Sequence, residues 1–409
     1  MSTNLKAIKE PENAGSMDVS VVRQAMTSRD ILERLGTKWR MIPVLIVLVA
    51  IWIYFGQQNE LFLSSRNLSN LAGQIVVTSL VALGLLFVLV VGEIDLSVAA
   101  ASAVSAGVAA KLSLNYGLDS SSAVALGLLT GILLGAINGL IVTVFRAPSF
   151  IVTLGISLIL QGILLQLLPP TNLFSLVGNP ISGLSTTYLS AGLGWMAVAI
   201  FAGGLGILKL QRYTALRALG LPSSLFWDVV IPFGLTAATA SIAVMVFNSY
   251  KGVPLSVALL IIVLGFLAYL TTQTKFGLYL FAIGANPEAA RRAGIPVSLV
   301  KVAAFMISGA LVATGGIMAA SRVMGVSPQS ADPSLLLEAI AAAVIGGVSL
   351  FGGRGSVWSA LTGALLIGSI SNGLLLVNAT TQTRLEVQGV ILIIAVVVDA
   401  MISRAGAKR

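Results

Sequence analysis

The sequence predicts an all-α fold: a polytopic transmembrane helix bundle of about twelve spans, with both termini cytoplasmic. Three observations carry that expectation. Apolar residues make up 57% of the 409 positions and charged residues only 10%, with a mean hydropathy of +0.99, whereas an ordinary soluble domain is roughly 25% charged so that its surface can face water. The apolar residues gather in segments close to the roughly 20 that cross a bilayer. Lys and Arg concentrate in alternate connections between those segments, as cytoplasmic loops require.

In chain order the segments lie near 41–57, 68–92, 97–114, 122–144, 150–168, 187–208, 229–247, 254–273, 298–320, 334–350, 357–377 and 384–402. Two of them, 97–114 and 334–350, fit a broken or re-entrant helix as well as a full span. With the N-terminus inside and all twelve crossing, every Lys and Arg except Arg66, Lys111, Lys251, Arg322 and Arg384 falls on the cytoplasmic side. One missed span would invert every later loop and destroy that asymmetry. The expected organisation is a cytoplasmic tail at 1–40, a membrane domain at 41–402 and a short cytoplasmic tail at 403–409. In the first tail, Thr27 or Ser28 can cap a short helix with Ile31, Leu32 and Leu35 on one face and Gly36 at its end. Such a helix suits the inner membrane surface beside Arg29 and Arg34. No cleavable secretory signal is expected, because the first forty residues are polar.

Composition also excludes chemistry. There is no Cys and no His, so disulfides, zinc sites of the usual kind, thiol nucleophiles and serine–histidine catalysis are not available. The net charge of +9 would suggest nucleic acid in a soluble protein; here its placement matters more, and no nucleic-acid partner is expected. No stretch fits the phosphate-cradling Gly-x-x-x-x-Gly-Lys-Ser/Thr pattern. A transporter lacking it must draw energy from a partner or from an ion gradient. Small residues recur within spans, as at Gly131, Gly135 and Gly139 or Gly363, Gly368 and Gly373, where they let helix backbones approach in lipid.

The polar connection at 274–297 encodes a miniature helix. Asn286 is a preferred cap, and Pro287 suits the first helical position. Glu288 sits where the helix dipole favours an anion, and Arg291 and Arg292 where it favours cations. Ala289, Ala290 and Ala293 are strong helix formers, Gly294 can take the left-handed terminating conformation, and Pro296 prevents continuation. Two turns of helix are unstable alone in water. This one must rest on its own membrane domain or on a second protein.

The stretch FAIGANPEAARRAGI (281–295) resembles the cytoplasmic coupling segment of the monosaccharide ABC-importer permeases, the ribose, galactose, arabinose and xylose group. VGEIDLSVAA (91–100), APSFIVTLG (147–155) and AIAAAVIGGVSLFGGRGSVWSALTGALLIGSISNGLLLV (339–377) agree, and with their order and spacing the resemblance covers roughly 64–402. It is nearest to the xylose-type permease subunit, which shares NSYKGVP (248–254) and the spans around 187–247. One departure is Ala99 and Ala100, where the family usually has Gly after IDLSV. The resemblance implies a permease homodimer in the bacterial inner membrane, a periplasmic sugar-binding protein above it and cytoplasmic ABC ATPase subunits below. It assigns ATPase coupling to Gly284, Asn286, Pro287, Glu288, Ala289, Ala290, Arg291 and Gly294. ATP and Mg would sit on the ATPase, leaving this chain with no cofactor, no metal and no catalysis of its own.

Ionisable groups at mid-bilayer cost about 2.5–3.5 kcal/mol on insertion scales, so they face cavities or partners. Glu93, Asp95 and Ser97 interrupt the apolar run from 68 to 114. They fit a tight cytoplasmic turn with Asp95 or Ser97 capping the next helix, a border of the translocation path, or a proton-coupling site. Asn138, Gln161, Gln166 and Asn372 can line a sugar path or bond helix to helix. Glu338 is placed to meet Arg322, and Asp399 lies near the cytoplasmic boundary. Arg354, among Gly352, Gly353 and Gly355, marks a close turn, or a contact with the ATPase or lipid phosphate. Trp52, Tyr54, Trp195 and Tyr250 fall near span ends, where aromatic belts form. The function that the resemblance implies is sugar translocation driven by a partner ATPase, with D-xylose as the cargo. Two alternatives stand beside it: the same machinery for ribose, galactose or another small solute, and a proton-coupled secondary sugar transporter working through Glu93 or Asp95.

Overall fold

The computed structural model describes residues 42–221 and 223–407. The short helix expected within 27–36 lies outside the described residues. Of the two units into which the chain divides, Met1–Pro43 and Val44–Arg409, the second holds the helix bundle. Its helices are α1 (Ile42–Gln58), α2 (Ser65–Val90), α3 (Val98–Asn115), α4 (Ser120–Phe145), α5 (Ser149–Leu167), α6 (Ala191–Ala218), α7 (Phe226–Asn248), α8 (Leu255–Gln273), α9 (Lys275–Ala285), α10 (Pro287–Arg292), α11 (Val297–Val323), α12 (Pro333–Ile345), α13 (Val357–Leu376) and α14 (Thr381–Ala407). Among the described residues, nine of these are long and apolar enough to cross a membrane: α2 to α8, α11 and α13.

Each hydropathy segment holds a helix, and three details refine the expectation. Of the two readings open for 334–350 the structure gives the short one, a helix of 13 residues, about 20 Å at 1.5 Å per residue, against a hydrocarbon core of about 30 Å. Hydropathy overran because Val348 and Leu350 stay apolar, whereas the backbone turns at Gly347, whose φ is 102°. The 274–297 connection contains a second helix, α9, ahead of the miniature one. Finally, α14 continues to Ala407, past the boundary drawn at 402.

The core is organised around α2. Of its apolar stretch 83% is buried, against 11% for α6 and α7, which form a peripheral hairpin. Helix α11 lies against α4 at backbone contact: a Cβ on Gly135 would stand 2.1 Å from the Phe305 carbonyl oxygen, and one on Gly309 would stand 2.1 Å from that of Gly131. Real Cβ atoms do not approach so closely, so this seam requires glycine. Gly363 faces α12, while Gly368 meets Ile75 of α2 and Gly373 meets Phe55 of α1. Trp52, expected at a membrane interface, instead donates from Nε1 to Ser369 Oγ at 3.0 Å, tying α1 to α13.

One end of the bundle is closed by two small antiparallel ladders, β1 (Phe174–Ser175) with β4 (Gly325–Val326), and β2 (Tyr188–Leu189) with β3 (Val253–Pro254). Beside the second ladder the Lys251 ammonium lies 5.6 Å from the Tyr188 ring centroid and 5.3 Å from that of Tyr250. At this end Asp119 caps α4, and donation from Ser121 Oγ and Ser122 holds its carboxyl down at about 2. The opposite end collects the 91–97, 146–148, 274–296 and 346–356 connections.

Candidate functional site

Helix α10 forms as its residues dictate. Asn286 Oδ1 accepts from the backbone N–H of Glu288 at 3.1 Å and of Ala289 at 3.0 Å. A cap of this type stabilises a helix by about 1 kcal/mol. At the other end Ile295 N–H returns to the Ala290 carbonyl at 3.0 Å and Gly294 takes φ 80°, the left-handed exit that glycine adopts at no steric cost. Arg291 pairs with Glu288 at 3.2 Å, with both side chains more than 60% exposed, so solvent screens that pair to at most about 1 kcal/mol. From 285 to 294 only Ala290 is buried. The helix thus rests on the bundle through one methyl group and offers Pro287, Glu288, Ala289, Arg291 and Arg292 outward.

Behind α10 the four stretches singled out in the sequence converge. The hub is an elbow, residues 91–97, joining α2 to α3. The Val90 carbonyl, one of the acceptors that a helix end leaves without an intrahelical partner, receives the Gly353 N–H at 2.9 Å. Gly284, at the end of α9, packs into the same spot. A Cβ there would fall 1.7 Å from the Val90 oxygen and 2.4 Å from the Gly353 nitrogen. Helix α5 holds the far side of the elbow: Ser149 Oγ accepts from Ile94 N–H and Thr153 Oγ1 from Leu96 N–H, each at 3.0 Å. Asp399 of α14 accepts from Leu350 N–H at 3.1 Å and fixes the 346–356 loop. That loop closes on itself through Ser349 N–H to the Arg354 carbonyl at 3.0 Å.

The elbow's own polar groups are mostly satisfied locally. Asp95, 4% exposed, accepts from Ser97 N–H at 2.8 Å and from Ser97 Oγ at 2.6 Å. Asn138 of α4 donates to Ser97 Oγ at 2.9 Å, while its own Oδ1 is buried without a partner. Neither side chain caps α3: Ser97 supplies no side-chain cap, and Asp95 closes the turn on Ser97, ahead of the helix. Glu93 Oε1 forms an ion pair with Lys301 Nζ of α11.

The remaining candidates lie elsewhere. Asn372 exchanges bonds with Asn67 of α2, donating and accepting at 3.2 and 2.8 Å, near the opposite end of the bundle, where Asn67 also donates to the Phe62 carbonyl at 2.8 Å. Gln161, half-buried, reaches only Ser157 of its own helix, at 3.4 Å, and Gln166 is exposed. Glu338 accepts from Gln388 at 2.7 Å and Ser371 at 3.1 Å, and not from Arg322. The structure therefore joins Asp95, Ser97 and Asn138 in one hydrogen-bonded cluster at the elbow, pairs Glu93 with Lys301 instead, and sets Gln161 and Asn372 apart. Sequence reasoning missed Asn67 and Lys301. Asn67 lies one position before its hydropathy segment, and Lys301 reads as an ordinary cytoplasmic flanking charge.

Comparison with known proteins finds relatives along most of the chain. A family described as "Branched-chain amino acid transport system / permease component" matches residues 67–396. The xylose transport system permease protein XylH of Escherichia coli K12 is 38% identical over 88% of this chain and 92% of its own length. The ribose import permease protein RbsC of Bacillus subtilis is 31% identical over 87% and 89%. The D-allose transport system permease protein AlsC of E. coli K12 is 31% identical over 90% and 93%. No solved structure matches the chain.

Proposed function

Since this chain belongs to the ABC-importer permease family and is a multi-pass inner-membrane protein, we propose that it is the translocating subunit of an ATP-driven importer whose cargo is a monosaccharide, D-xylose above ribose or allose. The observation that carries the reading is the open outer face of α10, joined through Gly284 at the end of α9 to the elbow. A helix of six residues held by one buried alanine has its capping chemistry complete and its outer face unused, which suits a groove on a second protein. In this reading Asn286, Pro287, Glu288, Ala289, Ala290, Arg291 and Gly294 form the docking helix, and Gly284 seats it on α2. The ATP and Mg belong to the docked ATPase. A sugar-loaded binding protein meets the opposite end, and two copies of the chain alternate between inward- and outward-facing states. Asp95, Ser97 and Asn138 brace the elbow at the path, Gln161 offers its amide from α5, and Asn372 holds α13 to α2. The greater identity to XylH favours D-xylose. Glu93 is paired with Lys301, which disfavours a free proton-carrying carboxylate.

The test is reconstitution of the chain with its co-purified ATPase and the sugar-binding protein, scored for uptake of D-xylose, D-ribose and D-allose. Glu288→Lys is expected to abolish ATP-driven uptake while membrane insertion and folding persist. Vectorial uptake by the chain alone under a pH gradient, with no ATPase present, would overturn the reading.

A further inference from the structure

An ATPase that grips α10 must move the interior of the bundle as well as its rim, and this requires a connection that can pull. The small glycine contact at this joint gives little pull. The contact of Gly284 with Val90 transmits compression, but a glycine without a side chain offers few atom pairs, each worth only about 0.1–0.2 kcal/mol of dispersion, to resist the surfaces being drawn apart. An ion pair resists separation. We infer that Glu93 and Lys301 are positioning residues, forming a strut that makes the 91–97 elbow follow the α10–α11 segment during transport. The inference rests on the permease reading above.

Both feet of the strut are rigid. Lys301 lies in the second turn of α11, whose first residues Val297 and Val300 are buried. Helix α10 runs into α11 through the Ile295-to-Ala290 and Val297-to-Ile295 backbone bonds, with no slack between them. Glu93 sits in the elbow, where its own N–H donates to the Val88 carbonyl at 3.1 Å and the next residues are tied to Ser149 and Thr153. The two residues are 208 positions apart in sequence, so no local turn accounts for their meeting. Their side chains are 14% and 18% exposed, against 65% and 62% for Glu288 and Arg291. The first pair is therefore the one shielded from solvent screening, and removing either partner strands the other charge in a partly desolvated site.

The test uses the full complex in proteoliposomes, with uptake of D-xylose, D-ribose and D-allose and ATP hydrolysis measured together. Glu93→Gln and Lys301→Met are each expected to cut uptake about tenfold, the size of loss typical of broken coupling, while assembly and ATP hydrolysis continue. The exchange of charges, Glu93→Lys with Lys301→Glu, restores most of the uptake. Undiminished uptake by either single variant, a loss that the exchange leaves unrepaired, or hydrolysis falling in step with uptake overturns the strut. Failure of the unaltered complex to import any of the three sugars overturns the permease reading, and the strut with it.

Discussion

Two residues show how much is decided by single atoms. At Gly284 the α9 backbone lies so close to Val90 and Gly353 that a methyl group has no room, and the obstructing atoms are backbone, which cannot rotate away. Gly284→Ala is expected to destabilise the chain by about 1–3 kcal/mol, the range for overpacked sites, and to lower the thermal unfolding midpoint in detergent. An unchanged midpoint would show that the elbow tolerates displacement. The Asn67–Asn372 pair makes the converse case. Asn67→Leu strands a buried amide at a cost of about 1–3 kcal/mol, whereas Asn67→Leu with Asn372→Leu removes both amides and should be milder than Asn67→Leu alone, since both lose the bond to the Phe62 carbonyl. Strict additivity of the two substitutions in the same unfolding measurement would contradict that. Neither Asn67 nor the partner of Glu93 was legible in the sequence, because hydropathy says which segments are apolar and nothing about which faces meet.

Helix α10 is an element whose existence was legible down to its caps. Asn286, Pro287, Gly294 and Pro296 each act through local backbone chemistry, and local chemistry is what a sequence displays. Asn286→Ala is expected to remove about 1 kcal/mol from the helix. It should speed amide hydrogen exchange at 287–293 severalfold with little change in the core of α2; protection equal to the parent would mean that bundle contacts hold the helix. Helix α12 was left open between a full span and a broken or re-entrant helix, because a hydropathy ruler does not see a left-handed glycine at 347 inside an apolar run. Helix α9 was read as polar loop, since Lys275 and the Gly residues at 277 and 284 obscured the apolar FGLYLFAIG stretch between them.

For the whole molecule, orientation was inferred from charge counts alone and can be measured cleanly, because the chain has no cysteine of its own. A single Cys in place of exposed Glu288 should react with a membrane-impermeant maleimide only from the cytoplasmic side, and one in place of exposed Tyr116 only from the exterior. Labelling of both from one side would refute the bundle's polarity. The fold class followed from composition because lipid imposes a single requirement over the length of every span: internally satisfied backbone and apolar surface. The meeting of four distant stretches at one elbow did not follow, since it is a property of tertiary packing; the resemblance had marked the stretches and said nothing of their meeting.

The glycine seam between α4 and α11 bears on how such a protein lives in a changing membrane. Its atoms touch one another and exclude acyl chains, so altering fatty-acid unsaturation or growth temperature leaves that joint nothing to respond with. The outlying α6–α7 hairpin, of whose apolar stretches only 11% is buried within the chain, is where the composition of the bilayer has most surface to act on.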